Sequence, residues 1–161
     1  MKIIALQKEH YPAVSEIYRL GISSGIATFE TEIPDWDTWN KKFLAISRFV
    51  ILENDQVKAW CALSAVSNRA VYKGVAEDTI YVAPECQGKG FGKMLLMHLI
   101  IESEKNGFWT LQAGIFSENK ASIKLHENCG FRTIGEREKI AKRDNIWHDN
   151  IIMERRSQAF N

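Results

Sequence analysis

The sequence lacks the features that mark secreted, membrane-spanning and strongly charged proteins. Its apolar runs are too short for a signal peptide or a membrane span. Its formal net charge is only +1, which argues against nucleic acid or an anionic membrane as a partner. Its three cysteines, Cys61, Cys86 and Cys129, form no CxxC pair. An odd number of widely spaced cysteines predicts a reducing, cytoplasmic setting with no metal and no disulfide framework.

The composition is that of an ordinary globular protein. Hydrophobic residues make up 45% and charged residues 25% of the 161 positions. There is no repeat, low-complexity tract or Pro/Gly/Ser-rich linker, and a chain of this length can bury a full core without disulfides or metals. We therefore expect a single domain over residues 1–161.

The spacing of apolar residues predicts strands and helices in the order β-α-α-β-β-β-α-β-α-β-β. Helices are expected over about Glu9–Ser24 and Asp35–Ala45, followed by a hairpin that turns at Asn54-Asp55. The last two strands, Phe131–Glu138 and His148–Arg155, are expected to flank a polar loop. This order predicts an α/β fold with a mixed sheet of about six or seven strands and about four helices on its faces.

The segment Ala76–Lys93 carries the strongest functional signal. It begins as a β-branched strand, Thr79–Val82, and continues through three glycines at alternate positions into a helix. A strand, a glycine-rich turn and a helix N-terminus together form an anion site. A Walker A loop is excluded because Gln87 and Met94 stand where it requires a glycine and a hydroxyl residue. A dinucleotide fingerprint is excluded because its third glycine would fall at Lys93.

The loop instead fits the pattern Q-x-x-G-x-[GA], as QGKGFG at 87–92. In this it resembles the pyrophosphate loop of the GNAT N-acetyltransferases. Further segments resemble the phosphinothricin and methionine sulfoximine acetyltransferase subfamily, in matching order over about residues 3–157. They are GIATFET at 25–31, AEDTIYV at 76–82, IFSENKAS at 115–122, LHE at 125–127 with GF at 130–131, and WHD at 147–149. The resemblance implies the GNAT acyl-CoA N-acyltransferase fold and acetyl-CoA as co-substrate.

The resemblance also implies which residues bind acetyl-CoA. Backbone groups of Ile80, Tyr81 and Val82 would hold the pantetheine arm and the thioester carbonyl. Asn119 would contact the pantetheine, and it could also cap the fourth helix. The loop amides would bind the pyrophosphate. The loop residues are Gln87, Gly88, Lys89, Gly90, Phe91, Gly92 and Lys93.

Two side chains are candidates for catalysis. An ammonium must lose a proton before it attacks a thioester, and a carboxylate is a suitable base. Glu77 matches the strand glutamate of the family; an ion pair with Arg69 or Lys73 is the alternative. His126 stands where many acetyltransferases have the tyrosine that protonates the CoA thiolate; a structural histidine is the alternative. No cysteine lies in a nucleophile-like setting, which favours direct transfer.

By resemblance, the acceptor pocket is lined by Phe29, Glu30, Arg69 and Tyr72, with Arg69 able to bind a carboxylate or phosphinate. The acceptor would be the α-amine of a small amino-acid-like molecule such as phosphinothricin, methionine sulfoximine or methionine sulfone. This substrate implies a role in detoxification, including herbicide resistance, or in amino-acid salvage. A homodimer is expected, and WHD at 147–149 could complete the pocket across the dimer contact.

Two alternatives stay open from the sequence. The same machinery could acetylate a protein N-terminus, a polyamine or an aminoglycoside. The chain could also be a non-catalytic acyl-CoA-binding module, although such a module needs neither the acid nor the base.

Overall fold

A computed structural model of residues 1–161 contains seven β-strands and four α-helices in the order that the sequence predicts. The strands are β1 (Lys2–Ala5), β2 (Phe49–Glu53), β3 (Gln56–Ala65), β4 (Val75–Val82), β5 (Thr110–Phe116), β6 (Arg132–Arg143) and β7 (Ile146–Arg156). The helices are α1 (Tyr11–Ser23), α2 (Trp36–Lys42), α3 (Phe91–Lys105) and α4 (Lys120–Asn128). None of the helices is long and apolar enough to cross a membrane.

The strands form one mixed sheet in the order β1-β2-β3-β4-β5-β7-β6. Every neighbouring pair is antiparallel except β4 and β5, which run parallel. The parallel ladder is short: it pairs Val75 with Thr110, Ala76 with Leu111 and Glu77 with Gln112, and then stops. Beyond that point the two central strands diverge, which opens the sheet in its middle.

Helices cover both faces of the sheet. Successive side chains of β4 point to opposite faces and therefore contribute to two separate hydrophobic cores. Helix α3 covers one face with Leu95, Leu96 and Leu99, which are fully buried. Helices α1 and α2 cover the other face through an aromatic cluster that includes Trp39 and Trp60. The apolar stripe predicted for the first helix is buried as expected. Its residues are Tyr11, Val14, Ile17, Tyr18 and Ile22.

Helix α2 is shorter than the sequence indicates. Asp35 caps it as predicted, because its Oδ1 accepts a hydrogen bond of 2.8 Å from the Thr38 amide. The helix ends at Lys42 because Phe43 is extended and the Leu44 amide donates to the Leu63 carbonyl at 2.8 Å. A tertiary bond to β3 therefore replaces the last predicted turn.

The prediction of a polar loop near residue 140 is wrong. β6 runs through Arg143, and a two-residue turn at Asp144-Asn145, both at positive φ, joins it to β7. β6 is the edge strand and most of its side chains are exposed, so a charged sequence can occupy it without alternation. Irregular pairing between Arg137 and Ala141 further obscures the period of two.

Candidate active site

A cleft of about 1080 Å³ opens where β4 and β5 diverge, and we call it the β4–β5 cleft. The β3-facing edge of β4 stays paired through Val82, whereas the β5-facing edge has no partner beyond Glu77. Ile80, Tyr81 and Val82 all line the cleft, as the sequence predicts. Their unpaired backbone groups are hydrogen-bonding sites open to a bound molecule.

The glycine loop forms the N-terminus of α3 at one end of this cleft. Gly90 caps the helix at φ +87°, and the first intrahelical bond runs from the Met94 amide to the Gly90 carbonyl. The amides from Gly90 to Lys93 donate to no group in the protein. Open space surrounds Gly88 and Gly90 where a Cβ would stand. Free amides at the positive end of a helix dipole can bind an anion such as a pyrophosphate.

The side chains of this loop have different positions. The Gln87 carboxamide donates to the Val82 carbonyl at 3.4 Å, so it ties the loop to the end of β4. Lys93 lines the cleft, whereas Lys89 is exposed outside its lining. Phe91 is buried in the core beneath α3, which leaves only its amide for a ligand.

Asn119 has the capping role that the sequence allowed and also lines the cleft. Its Oδ1 accepts a hydrogen bond of 3.1 Å from the Ser122 amide at the start of α4. The Nδ2 group forms no hydrogen bond within the protein, so it can donate to a molecule in the cleft. Capping and ligand binding are compatible because they use different atoms.

Glu77 lies at the point where the two strands part. Gln112 on β5 donates to its Oε2 at 3.1 Å, and the alternative ion pair with Arg69 or Lys73 is not formed. Burial raises the pKa of Glu77 above its usual range, and the charge of Asp78 adds to this effect. The Gln112 hydrogen bond and the charges of Lys42 and Arg137 oppose it.

His126 is buried in the opposite wall of the cleft beside Asp78. Its Nδ1 lies 2.7 Å from the Ser122 carbonyl, and its Nε2 lies 3.0 Å from Asp78 Oδ1. A carbonyl oxygen only accepts, so Nδ1 carries a proton and one further proton lies between Nε2 and Asp78. Burial disfavours the charged ring, but the charge of Asp78 and the hydrogen bonds to Asp78 and Ser122 outweigh it and raise the pKa of His126.

The structure separates the four residues expected in the acceptor pocket into two groups. Phe29 and Glu30 line the cleft. They lie on the segment between α1 and α2, which Arg143 of β6 holds through a 2.9 Å hydrogen bond to the Thr28 carbonyl. By contrast, the segment before β4 lies outside the cleft lining. It contains Arg69 and Tyr72, and the Arg69 guanidinium stacks 5.5 Å from the Tyr72 ring.

Several polar side chains in the site escape the sequence patterns. Asp78 was detectable in principle, because strand alternation places it on the buried face opposite Glu77, where a carboxylate needs a partner. Gln112 contacts the site through its hydrogen bond to Glu77. Asn150 lines the cleft from β7, and Arg137 lines it from β6. No local signal identifies these three, because their positions depend on strand register.

Comparison with known proteins identifies the fold and the chemistry. A family model described as the acetyltransferase (GNAT) family matches residues 12–131. The chain belongs to the GNAT acetyltransferase family. The phosphinothricin N-acetyltransferase of Alcaligenes faecalis is 30% identical over 157 residues, which cover 93% of this chain and 79% of that protein. The L-methionine sulfoximine/L-methionine sulfone acetyltransferase of Salmonella typhimurium is 29% identical, with 96% of this chain and 93% of that protein covered.

A solved structure extends the comparison of this GNAT acetyltransferase to three dimensions. The phosphinothricin acetyltransferase of Sinorhizobium meliloti, in complex with AcCoA, is 30% identical with a TM-score of 0.88, and the match covers 96% of this chain and 87% of that one. The predicted fold, family resemblance and N-acetyltransferase activity are thereby confirmed. The acceptor and the roles of individual residues stay predictions.

Replacing Gly90 with valine is expected to abolish acetyl-CoA binding. Gly90 has φ +87°, which a β-branched residue adopts only at a high energetic cost, and the new side chain would fill the space before the free amides. Calorimetric titration with acetyl-CoA should show that the affinity falls by about a hundredfold or more, since two or more charge-assisted hydrogen bonds would be lost.

Gly107→Val is the matched control for this variant. Gly107 has the same φ of +87° but lies beyond the far end of α3, outside the cleft lining. This control should lower the melting temperature and leave the affinity of the folded protein unchanged. Unaltered affinity in Gly90→Val would show that the loop does not bind the cofactor.

Proposed function

We propose that this protein transfers the acetyl group of acetyl-CoA to the α-amine of a small amino-acid-like molecule of the phosphinothricin, methionine sulfoximine or methionine sulfone type. The observation that carries the proposal is the position of Glu77. One cleft joins this carboxylate, which accepts from Gln112 and forms no ion pair, through the free edge of β4 to the N-terminus of α3. The names of the relatives at 29% and 30% identity support the choice of acceptor.

The residues of the cleft fit acetyl-CoA from one end to the other. The amides of Gly88 and of Gly90–Lys93 would bind the pyrophosphate, whereas that of Lys89 donates to the Cys86 carbonyl at 3.4 Å. The free edge of Ile80–Val82 would pair with the pantetheine amides and the thioester carbonyl. Asn119 Nδ2 would donate to the same arm. When bound, the cofactor supplies an activated acyl group, and the protein contributes its position and the movement of protons.

Glu77 is the proposed general base. An amine enters mainly as an ammonium ion, which has no lone pair, so its proton must leave before it attacks the thioester carbonyl. The raised pKa makes Glu77 a stronger base than an ordinary glutamate. As the new amide bond forms, the bond to sulfur breaks and the electron pair leaves with the thiolate.

The pair of Asp78 and His126 is the proposed source of the proton for that thiolate. The proton shared between Nε2 and Asp78 would be donated from the cleft wall opposite Glu77, and the raised pKa of His126 favours its retention on the ring until then. Both ring nitrogens are engaged, so the bond from Nε2 to Asp78 must open as the proton leaves.

Direct transfer is favoured over an acetylated enzyme intermediate. All three cysteines are buried, and burial raises the pKa of the Cys61 and Cys129 thiols, so neither is a ready thiolate. Cys86 reaches the cleft beside the glycine loop, away from the Glu77 end. The homodimer and the cytoplasmic location expected from the sequence stay predictions.

A thiol-release screen tests the choice of acceptor. Free CoA should form rapidly with phosphinothricin, methionine sulfoximine or methionine sulfone, and slowly with polyamines, aminoglycosides and peptides. Faster turnover on a peptide or a polyamine would replace the proposed acceptor class. Stabilisation by acetyl-CoA without thiol release on any amine would indicate a binding module.

Glu77→Gln should lower turnover by about ten- to a thousandfold at neutral pH, and less at high pH, where the amine is already neutral. Because the pKa of Glu77 is raised, the acid limb of the wild-type kcat/KM profile should lie above the usual glutamate range, with activity lost as the pH falls through it. Gln112→Leu removes a hydrogen bond that lowers this pKa, so the limb should move to higher pH.

The exposed Glu138, which lies outside the cleft lining, provides the control for these two variants. Glu138→Gln should leave both the rate and the profile unchanged. An acid limb at the same pH in the wild type and in both cleft variants would remove Glu77 from the role of base.

His126→Phe should slow turnover and abolish the basic limb of the kcat profile. The raised pKa of His126 means that the proton is present at low pH and lost as the pH rises through that value. Asp78→Asn removes the carboxylate that raises this pKa, so the basic limb should move to lower pH. Phe131→Leu is the packing control, since its ring only contacts His126 edge-on at 4.9 Å. Wild-type turnover in His126→Phe would show that the histidine has only a structural role.

A further inference from the structure

We propose that Arg137 and Asn150 bind the anionic group of the acceptor, so that the enzyme selects amines that carry a carboxylate. This inference rests on the proposed function and names the residues that set its substrate class. Neither residue belongs to the sequence motifs, and the segment with Arg69 does not reach the cleft.

Strand register places both residues on the same side of the sheet as Glu77. Arg137 on β6 pairs directly with Asn150 on β7, and Asn150 pairs with Phe116 on β5. Directly opposed residues share a face, and along β5 this face continues through Gly114 to Gln112, the partner of Glu77. Arg137 and Asn150 therefore approach the cleft from the side opposite β4.

Asn150 has the properties of a ligand-binding side chain. It is only 8% exposed and lines the cleft, and its carboxamide forms no hydrogen bond within the protein. An amide that opens into the cleft and has no partner in the protein is free to hydrogen-bond a bound molecule. Gly114 leaves the room for it, since a Cβ there would stand 3.3 Å from Asn150 Oδ1.

Arg137 is the cation at this end of the cleft that has no carboxylate partner. Lys42 lies 3.7 Å from Glu30 in an ion pair, whereas Arg137 forms none. Lys93 and Lys124 belong to α3 and α4, at the proposed cofactor side. The charge of Arg137 reaches Glu77, whose pKa it lowers. A planar guanidinium beside a free amide suits a carboxylate or phosphinate.

The charges of the pocket then match an amino acid. Its ammonium group would face Glu77, and its carboxylate would be held by Arg137 and Asn150. An amine without an anionic group would leave Arg137 unpaired and Asn150 unsatisfied, so it should bind more weakly.

The test compares two acceptors, methionine sulfone and its carboxamide, in the wild type, Arg137→Gln, Arg137→Lys and Asn150→Leu. The ratio of kcat/KM between the two acceptors separates the effect of the carboxylate from other effects of a mutation. The wild type should prefer the acid by about tenfold or more. Arg137→Gln should lose most of this preference through a KM for the acid that rises by about ten- to a hundredfold, with kcat largely retained. Asn150→Leu should lose part of it, and Arg137→Lys should keep part of it.

Arg132→Gln is the control. It removes the same charge from the same strand at a position outside the cleft lining, where Arg132 pairs with Glu154, and it should leave the preference unchanged. A preference for the acid that persists in Arg137→Gln would overturn the assignment of Arg137 while leaving the proposed function intact. Turnover by the wild type on peptides or polyamines but on neither methionine sulfone nor its carboxamide would overturn both.

Discussion

The divergence of β4 and β5 is the constraint on which the rest of the site depends. A parallel pair at the centre of a sheet normally continues its ladder, yet here it stops after three residue pairs. The structure keeps its stability because each strand retains an antiparallel partner on its other side and because both faces are covered. The free inner edges can bind a ligand, and in the proposed mechanism the gap between them is where the thioester meets the amine.

The alternation of β4 turns this gap into a site with two different chemical walls. Glu77 and Asp78 are neighbours in sequence, but their side chains point to opposite faces. Glu77 meets Gln112 and the charges of Lys42 and Arg137, whereas Asp78 meets His126 of α4. The proposed base and the proposed proton donor need different environments, and β4 provides them because Glu77 lies on one side of the strand and Asp78, the partner of His126, on the other.

The sequence predicts what depends on local chemistry and misses what depends on register. The element order, the Asn54-Asp55 hairpin and the glycine loop follow from patterns within a few residues. The bond from Gln112 to Glu77 joins positions 35 apart, and that from His126 to Asp78 joins positions 48 apart. A shift of one residue in the pairing of β4 with β5 would remove the first contact, and the second depends on how α4 packs against β4; neither is visible in the pattern of apolar residues. The second half of the charged edge strand β6 escaped for a related reason, since its exposure removes the periodicity that marks a strand.

The proposed roles of Glu77 and Arg137 together give a physical reason for a preference for zwitterionic acceptors. Burial and Asp78 raise the pKa of Glu77, while Lys42 and Arg137 lower it. A bound ammonium ion alone would lower it further and weaken the base, because an opposite charge favours the ionised carboxylate. A substrate carboxylate on Arg137 would offset that effect by neutralising one of the cations. An amino acid would thus approach Glu77 with little change in the strength of the base, whereas a simple amine would weaken the base that it needs.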